Sequence, residues 1–310
     1  MLDAAAKALF HRLAGSSRLR ALASRYGMRK PTSFARRFIA GETIDEAIAA
    51  ARALEAVGLT HTLDYLGESV ASADEAAAAT REYLRVIDEV RRSGIGCNLS
   101  LKLTQLGMSV DRSYAADNLR RILDAADGFF IRIDMESSPY TDITFEVFEA
   151  LWREGYRQVG VVLQSDLRRT EADVARMNQL GVRVRLVKGA YKEPAEVALT
   201  RKTEVDQAFL RDMQSLLLNG CYPAIATHDP KMIETTCRFA TERHISHDRF
   251  EFQMLYGIRR DLQVALLKRG YRVRIYVPFG REWFPYFMRR LGERPANVAF
   301  VLRSLISEAS

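Results

Sequence analysis

Apolar residues along the chain occur in two alternating kinds of pattern. Short runs of β-branched and aliphatic residues recur, each bounded by turn residues and followed by a stretch with helical spacing. Helices are predicted between the runs, for example over 72–91 and 113–126 with Ser72 and Ser113 as N-caps. Eight runs predict strands, at 61–66, 97–103, 129–134, 158–164, 182–188, 222–227, 249–253 and 272–277.

Eight β/α units predict a TIM-like (β/α)8 barrel. Runs such as 159–163 and 224–226 are apolar without interruption, which is typical of parallel strands covered on both faces. A doubly wound open sheet is the competing fold, but no G-x-G-x-x-G follows the first strand. We therefore expect one domain overall, with an N-terminal helical extension over 1–60 and the barrel over 61–310.

The charge distribution argues against a general nucleic-acid binder. The formal net charge is +7, yet residues 1–40 alone hold nine basic side chains and one acidic side chain. The alternative roles of this segment are a membrane-surface arm, with Leu9, Phe10 and Leu13 as apolar contacts, a nucleic-acid arm, or a helix over the closed end of the barrel. Three cysteines without a C-x-x-C pair predict reduced thiols, and no apolar run is long enough to span a bilayer.

Polar residues concentrate where the predicted strands end. In a barrel these ends meet at one mouth, where catalytic groups belong. A charge inside a strand is costly without a partner, so these groups need partners or a ligand. The alternative to a functional site is that they form a purely structural layer of ion pairs inside the barrel. The group comprises Glu68, Lys102, Asp134, Glu136, Gln164, Arg185, Lys188, Thr227, His228, Asp229, Gln253 and Tyr276.

A last helix is predicted to begin at Pro285 and to carry Tyr286, Arg289, Arg290 and Glu293. The aromatic residues that flank these charges indicate a helix packed against other parts of the protein. The alternative is a solvent-exposed helix with a charged face. Two adjacent arginines beside an aromatic ring would suit a small carboxylate. The H-x-x-H of His244 and His247 is more typical of a polar loop than of a metal site, so no metal is expected.

Seven stretches in this order make the chain resemble the proline dehydrogenases, particularly the short monofunctional bacterial type. Each stretch alone is weak evidence for the family, because it could arise by chance. All seven in this order are specific evidence, and they cover about residues 63–305. They are SLKLTQLG from Ser100, VLQ from Val162, VRLVKGAYKEP from Val184, ATHD from Ala226, FQMLYG from Phe252, RIYVP from Arg274, and the Tyr286 to Glu293 helix.

The resemblance implies a distorted (β/α)8 barrel with FAD across the mouth and a last helix over L-proline, which is oxidised to 1-pyrroline-5-carboxylate. Lys102, Arg289 and Arg290 resemble the clamp on the proline carboxylate. Glu68 is similar to the acid that pairs with Arg289 and gates the site, and Asp134 to an aspartate near the substrate lysine. Leu255, Tyr276 and Tyr286 would pack on the pyrrolidine ring.

For the cofactor, Arg185 resembles the arginine near flavin N5, Thr200 and Lys202 the pyrophosphate contacts, and Thr227 and His228 the residues toward the adenosine. The remaining cofactor contacts implied by the resemblance are Gln164, Val187, Lys188, Gly189, Ala190, Tyr191, Gln253, Met254 and Glu293. Two positions depart from the family: Asp166 and Lys192 stand where an aromatic residue is common.

The resemblance further implies a quinone-type electron acceptor, a cytoplasmic location and no nucleic-acid partner. It leaves open a peripheral contact with the inner face of the membrane. An aldolase with Lys188 as a Schiff-base lysine is the alternative enzyme class.

Overall fold

The computed structural model describes Met28 and residues 33–293. Its strands form a closed barrel in chain order, and every neighbouring pair is parallel. The predicted fold class is therefore confirmed. The strands are β1 (Thr60–Tyr65), β2 (Asn98–Leu101), β3 (Phe130–Ile133), β4 (Val159–Gln164), β5 (Val184–Val187), β6 (Ala224–Ala226), β7 (Glu251–Leu255) and β8 (Val273–Phe279).

Helices alternate with these strands and cover the outside of the barrel. They are α1 (Ile44–Glu55), α2 (Ala73–Ser93), α3 (Arg112–Ala125), α4 (Thr141–Arg153), α5 (Thr170–Leu180), α6 (Lys202–Asn219), α7 (Pro230–Glu242), α8 (Arg260–Lys268) and α9 (Trp283–Glu293). Short 3-10 helices occupy Phe34–Arg37, Leu103–Leu106 and Ser138–Tyr140.

The ends of several elements differ from the prediction for local reasons. Ser72 caps α2 as expected, because its hydroxyl accepts a hydrogen bond from the Glu75 amide. The cap of α3 is Asp111 and not Ser113, since the Asp111 carboxylate accepts hydrogen bonds from the Tyr114 amide and from the Ser113 hydroxyl. At the mouth, β7 continues to Leu255, two residues beyond the predicted end.

The seam between β1 and β8 is covered by α1, which precedes the barrel strands in the chain. Ile44, Ala47 and Ala51 of α1 are buried in the main core together with residues of all eight strands. The last helix is thereby left outside the helical ring. The predicted division at residue 60 stays a prediction, and most of the 1–40 segment, including Leu9, Phe10 and Leu13, lies outside the described residues.

Helix α9 packs in a second, smaller apolar cluster. It begins at Trp283 rather than at Pro285, and the Trp283 indole donates to Glu42 Oε1 over 2.9 Å. Trp283 is fully buried, and the rings of Phe287 and Phe38 pack at a tilt with their centroids 6.1 Å apart. The segment before α1 therefore anchors the helix that carries the predicted carboxylate clamp.

Polar side chains fill the inside of the barrel below the mouth. Arg274 Nε donates to Glu251 over 2.8 Å, and Gln253 Nε2 donates to the same carboxylate over 2.5 Å. Arg185 of β5 then bonds Gln253 of β7, which shows that these side chains point across the interior. The ion-pair layer weighed as an alternative is thus present, and it supports the mouth from beneath.

Candidate functional site

A cavity of about 350 Å³ opens at the carboxyl ends of the strands. Residues from β2 to β8, from the loop after β5 and from α9 line it, as expected for the mouth of a barrel. The structure brings most of the predicted site residues together here: Lys102, Asp134, Gln164, Arg185, Val187, Lys188, Gly189, Ala190, Tyr191, Thr227, His228, Gln253, Met254, Leu255, Tyr276, Tyr286, Arg289 and Arg290.

Lys102 follows β2 and is the centre of a charged cluster. Its Nζ lies 3.5 Å from Asp134 Oδ2, 3.7 Å from Glu68 Oε2 and 3.4 Å from the Tyr276 hydroxyl. A fourth neighbour, Asp64 of β1, lies 3.3 Å away. Burial opposes the charge of Lys102, but the surrounding carboxylates, Asp64 first, outweigh it and hold the pKa of Lys102 well above its usual value. Lys102 is therefore an ammonium group with a face toward the cavity.

Arg185 connects the cluster to the interior of the barrel. Its guanidinium donates to Asp134 Oδ1 over 2.6 Å, to Gln253 Oε1 over 2.5 Å and to the Ser100 hydroxyl over 3.0 Å. The other oxygen of Asp134 accepts from the Tyr276 hydroxyl over 2.7 Å. A planar guanidinium with three fixed acceptors has little freedom, so Arg185 holds one orientation at the floor of the cavity.

Helix α9 closes the cavity from above with Tyr286, Arg289 and Arg290. Arg289 Nη1 lies 2.5 Å from Glu68 Oε1, and both side chains are about one-fifth exposed. The Arg290 guanidinium lies 5.1 Å from the centre of the Tyr286 ring. Glu68 does not line the 350 Å³ cavity; together with Arg289 and Tyr286 it lines a neighbouring cavity of about 500 Å³. The Glu68–Arg289 pair thus stands between two cavities.

Lys188 and Lys202 point to one group of carboxylates at the side of the mouth. Lys188 Nζ lies 2.5 Å from Asp206 Oδ1 and 2.9 Å from Asp229 Oδ2. Lys202 pairs with the same Asp206 but is largely exposed. A Schiff-base lysine needs an amine that is free to attack a carbonyl. Lys188 is engaged by two carboxylates, which argues against the aldolase alternative.

The other predicted cofactor contacts lie at different distances from the cavity. Gln164 Nε2 donates to the Glu136 carbonyl over 3.0 Å, and His228 Nε2 accepts from the Leu255 amide over 2.8 Å. Thr200 and Lys202 are exposed and lie outside the cavity lining. The side chain of Glu293 is outside the described part of the chain. Their assignment to the cofactor stays a prediction.

Tyr191 lines the same cavity as Lys102. Burial raises the pKa of its hydroxyl; the charge of Glu68 adds to this effect, and Lys102 opposes it. Its assignment as a cofactor contact stays a prediction.

Sequence reasoning missed Asp64 and Ser100 as members of the site. Asp64 of β1 is fully buried beside Lys102, and Ser100 of β2 accepts from Arg185. Both lie at inward positions, Ser100 two residues before Lys102 and Asp64 four residues before Glu68. A polar residue at every second strand position was the signal that could have found them.

Replacing Tyr276 by Phe should lower kcat/KM for the substrate about tenfold, because Asp134 would lose a charge-assisted hydrogen bond worth about 1.5–3 kcal/mol. Steady-state kinetics checks this expectation. Tyr156→Phe is the matched control, since the Tyr156 hydroxyl donates to Asp124 over 2.6 Å on the exposed surface. Equal kinetics of the two variants would contradict a role for the Tyr276 hydroxyl.

Asp166, at one of the two positions that depart from the family, packs against the loop that lines the cavity. Gly189 has a φ of +122°, and a Cβ there would lie 1.9 Å from Asp166 Oδ2, so only glycine fits. Asp166 Oδ1 is buried without a hydrogen-bond partner among the described residues. Burial, with a smaller contribution from the charge of Glu193, raises the pKa of Asp166 to about 7.

This raised pKa makes stability depend on pH. Between the unfolded value of 3.8 and about 7 the folded chain keeps a proton that the unfolded chain loses. Stability is therefore lost as the pH rises through that window. Asp166→Asn should be more stable than the wild type by about 2 kcal/mol at pH 8 and nearly equal at pH 4.

Urea unfolding at the two pH values tests the prediction. The control is Asp88→Asn, which removes a carboxylate that is 59% exposed and should leave the pH profile unchanged. If Asp166→Asn follows the wild type at both pH values, the Asp166 carboxyl is not the group responsible.

Other features bear on the remaining predictions. Among residues 33–293 no group of three or more His, Cys, Asp or Glu side chains could hold a metal ion. The His247 ring stacks on Tyr271 with centroids 3.9 Å apart, which gives this half of the H-x-x-H a packing role. None of the helices in the described part of the chain combines the length and apolarity that crossing a bilayer requires.

Comparison with known proteins identifies relatives over most of the chain. A family model described as proline dehydrogenase matches residues 47–303. Proline dehydrogenase 2 of Bacillus subtilis is 41% identical over 271 residues, which are 87% of this chain and 89% of that protein. Proline dehydrogenase of Deinococcus radiodurans is 43% identical over 283 residues, 89% of this chain and 91% of that protein.

Among solved structures, one match is the crystal structure of proline utilization A (PutA) from Bdellovibrio bacteriovorus inactivated by N-propargylglycine. It aligns with a TM-score of 0.78 at 28% identity and covers 83% of this chain. The chain spans about a third of that larger protein, since 32% of the latter is covered.

Proposed function

Because the chain belongs to the proline dehydrogenase family, we propose that it oxidises L-proline to 1-pyrroline-5-carboxylate with FAD, the first step of proline catabolism. The observation that carries this proposal is the cationic cluster at the cavity. Lys102 and Arg289 reach it from opposite sides, one from a strand end and one from α9. Such a pair suits a small carboxylate enclosed between barrel and helix.

The wall of the cavity fits the flavin of FAD. Val162, Val187 and Met254 provide apolar surface of the kind that an aromatic ring system packs on. Arg185 and Gln164 add fixed donors at the same wall, and Gly189 allows the backbone to approach closely. These residues would hold the ring system, while Thr227 and His228 would extend toward the adenosine. When bound, the flavin supplies the acceptor for a hydride from proline C5.

The side chains of this protein would fix the substrate at both ends. Lys102, Arg289 and Arg290 bind the carboxylate by opposite charge, which sets the position of the ring. Leu255, Tyr276 and Tyr286 form an apolar and aromatic wall for the methylene groups. Helix α9 over the cavity would limit the access of water to the reacting carbon. An imine forms only when the amine lone pair is free, so the rate of flavin reduction should rise with pH until the bound amine is deprotonated.

The visible spectrum of the purified full chain tests the proposal. We expect flavin absorbance in the protein after refolding or purification with FAD, and bleaching of that absorbance when L-proline is added without oxygen. D-proline, which presents the carboxylate from the other face, is the control. A chain that retains no flavin, or a flavin that L-proline leaves oxidised, would overturn the proposed function.

For the reduced flavin we propose a quinone-type acceptor, supported by the family alone. The N-terminal cations would then meet an anionic bilayer surface in the cytoplasm. Co-sedimentation with anionic liposomes, before and after deletion of residues 1–30, distinguishes a membrane-surface arm from a helix over the closed end of the barrel. Equal co-sedimentation of both forms would remove the membrane contact.

A further inference from the structure

Asp64 is a buried carboxylate at the floor of the substrate side of the cavity. It lies on β1, its side chain has no exposed surface, and its Oδ1 is 3.3 Å from Lys102 Nζ. Its other oxygen, Oδ2, is buried and accepts no hydrogen bond from the described residues. An ionised carboxylate in this position is costly, because one of its oxygens has lost water and gained no donor.

Three carboxylates share the Lys102 ammonium, and Asp64 is the one held by it most exclusively. Asp134 also has Arg185 at 2.6 Å and the Tyr276 hydroxyl at 2.7 Å. Glu68 has Arg289 at 2.5 Å. For Asp64, the ammonium is the cation within hydrogen-bonding reach, and Tyr276 faces it but donates to Asp134.

The groups that face Asp64 come from every neighbouring element. They are Lys102 after β2, Asp134 after β3, Glu68 in the loop after β1, Tyr276 of β8 and Tyr83 of α2. Burial raises the pKa of Asp64, and the charges of Asp134 and Glu68 add to this effect. Lys102 and, to a smaller extent, the Tyr276 hydroxyl oppose it. The ionisation of Asp64 therefore depends on how strongly the Lys102 ammonium interacts with it rather than with other carboxylates.

Binding of the substrate brings a further carboxylate to the same ammonium, on the premise of the proposed function. Like charges within a few ångströms in a water-poor site repel strongly, and the group with the fewest other partners is neutralised first. Asp134 has Arg185 as a second cation, and Glu68 has Arg289. Asp64 has no such second cation among the described residues, so it is the group that the incoming charge affects most.

We propose that Asp64 takes up a proton when the substrate carboxylate binds, which keeps the charge of the Lys102 cluster constant. The proton comes from bulk water and ends on the Asp64 carboxylate, and no other bond changes. The neutral acid then leaves the ammonium to the substrate. Asp64 is in this sense a positioning residue, because it acts on the substrate through Lys102.

This proton uptake gives carboxylate binding a pH dependence opposite to that of imine formation. Carboxylate binding weakens as the pH rises, since a proton must be taken up, whereas imine formation needs a free amine. The profile of kcat/KM should accordingly be bell-shaped, and the falling limb should belong to Asp64.

The test uses a ligand that has the carboxylate but no amine to titrate. Tetrahydrofuran-2-carboxylate replaces the ring nitrogen by an ether oxygen and cannot form the imine. Its binding to the FAD-loaded full chain is measured by calorimetry at pH 7.5 in phosphate and in Tris, whose ionisation enthalpies differ. The wild type should show a buffer-dependent enthalpy that corresponds to about half a proton to one proton per site.

Asp64→Asn should bind the ligand with the same enthalpy in both buffers. Asp88→Asn should keep the wild-type difference, because the Asp88 carboxylate is 59% exposed on α2, away from the cavity. A second measurement needs no variant: the Kd of the wild type should rise up to tenfold for each pH unit where Asp64 is ionised. A buffer difference that persists in Asp64→Asn, or a wild-type Kd independent of pH, would overturn the inference while leaving the proposed function intact. If FAD-loaded chain binds neither this ligand nor L-proline, the proposed function fails, and the inference fails with it.

Discussion

Replacing Lys102 by Met should lower kcat/KM for L-proline by a factor of about 1,000, the largest effect expected of any single side chain here. The ammonium is the shared partner of Asp64, Asp134 and Glu68. Removing one member of a buried charge cluster costs about 3–5 kcal/mol, because the remaining charges lose their partner. The same loss turns a site for an anion into one that repels it.

Steady-state kinetics and flavin content together check this prediction. The loss should appear chiefly in KM, with flavin retained, since the flavin wall is built from other strands. Lys268→Met, at the exposed end of α8, is the matched control and should behave as the wild type. A Lys102→Met enzyme within threefold of wild-type kcat/KM would contradict the carboxylate clamp.

Replacing Arg185 by Met should destabilise the fold by about 3–5 kcal/mol and slow flavin reduction at least 100-fold. Arg185 is nearly buried and joins Asp134, Gln253 and Ser100 in one network. Its loss leaves a buried carboxylate and an amide oxygen short of a donor. Arg185→Lys keeps the charge but cannot reach three acceptors. Its stability and its rate of flavin reduction should therefore lie between those of the wild type and of Arg185→Met.

Urea unfolding and anaerobic stopped-flow absorbance measure the two effects. Arg85→Met is the control, since that side chain is 51% exposed on α2 and pairs with Glu82 of the same helix. If the urea midpoint of Arg185→Met equals that of the wild type, the hydrogen bonds of Arg185 do not stabilise the fold as we expect.

The barrel could be predicted from the sequence because each strand is a short apolar run between turn residues. The mouth residues could be predicted as well, since charges at strand ends are rare without a purpose. What the prediction lacked was the second periodicity within strands: Asp64, Ser100 and Glu251 are polar at inward positions, and a run read only for its apolar content hides them.

Features set by contacts between distant segments could not be predicted. The start of α9 depends on the hydrogen bond from Trp283 to Glu42, residues far apart in the chain. The contact of Asp166 with Gly189 depends on the conformations of two loops at once. At α3, Asp111 and Ser113 were both acceptable caps by composition, and only the backbone direction decides between them.

The separate anchoring of α9 has a practical consequence for anyone purifying this protein. Its apolar cluster, with Phe38 and Trp283, is distinct from the core that holds the barrel together. Damage confined to that cluster would remove both arginines from the mouth while the barrel kept the flavin that we propose it binds. Flavin absorbance of a purified fraction would then measure the number of intact barrels. Turnover per mole of flavin would measure how many of these molecules still have α9 docked.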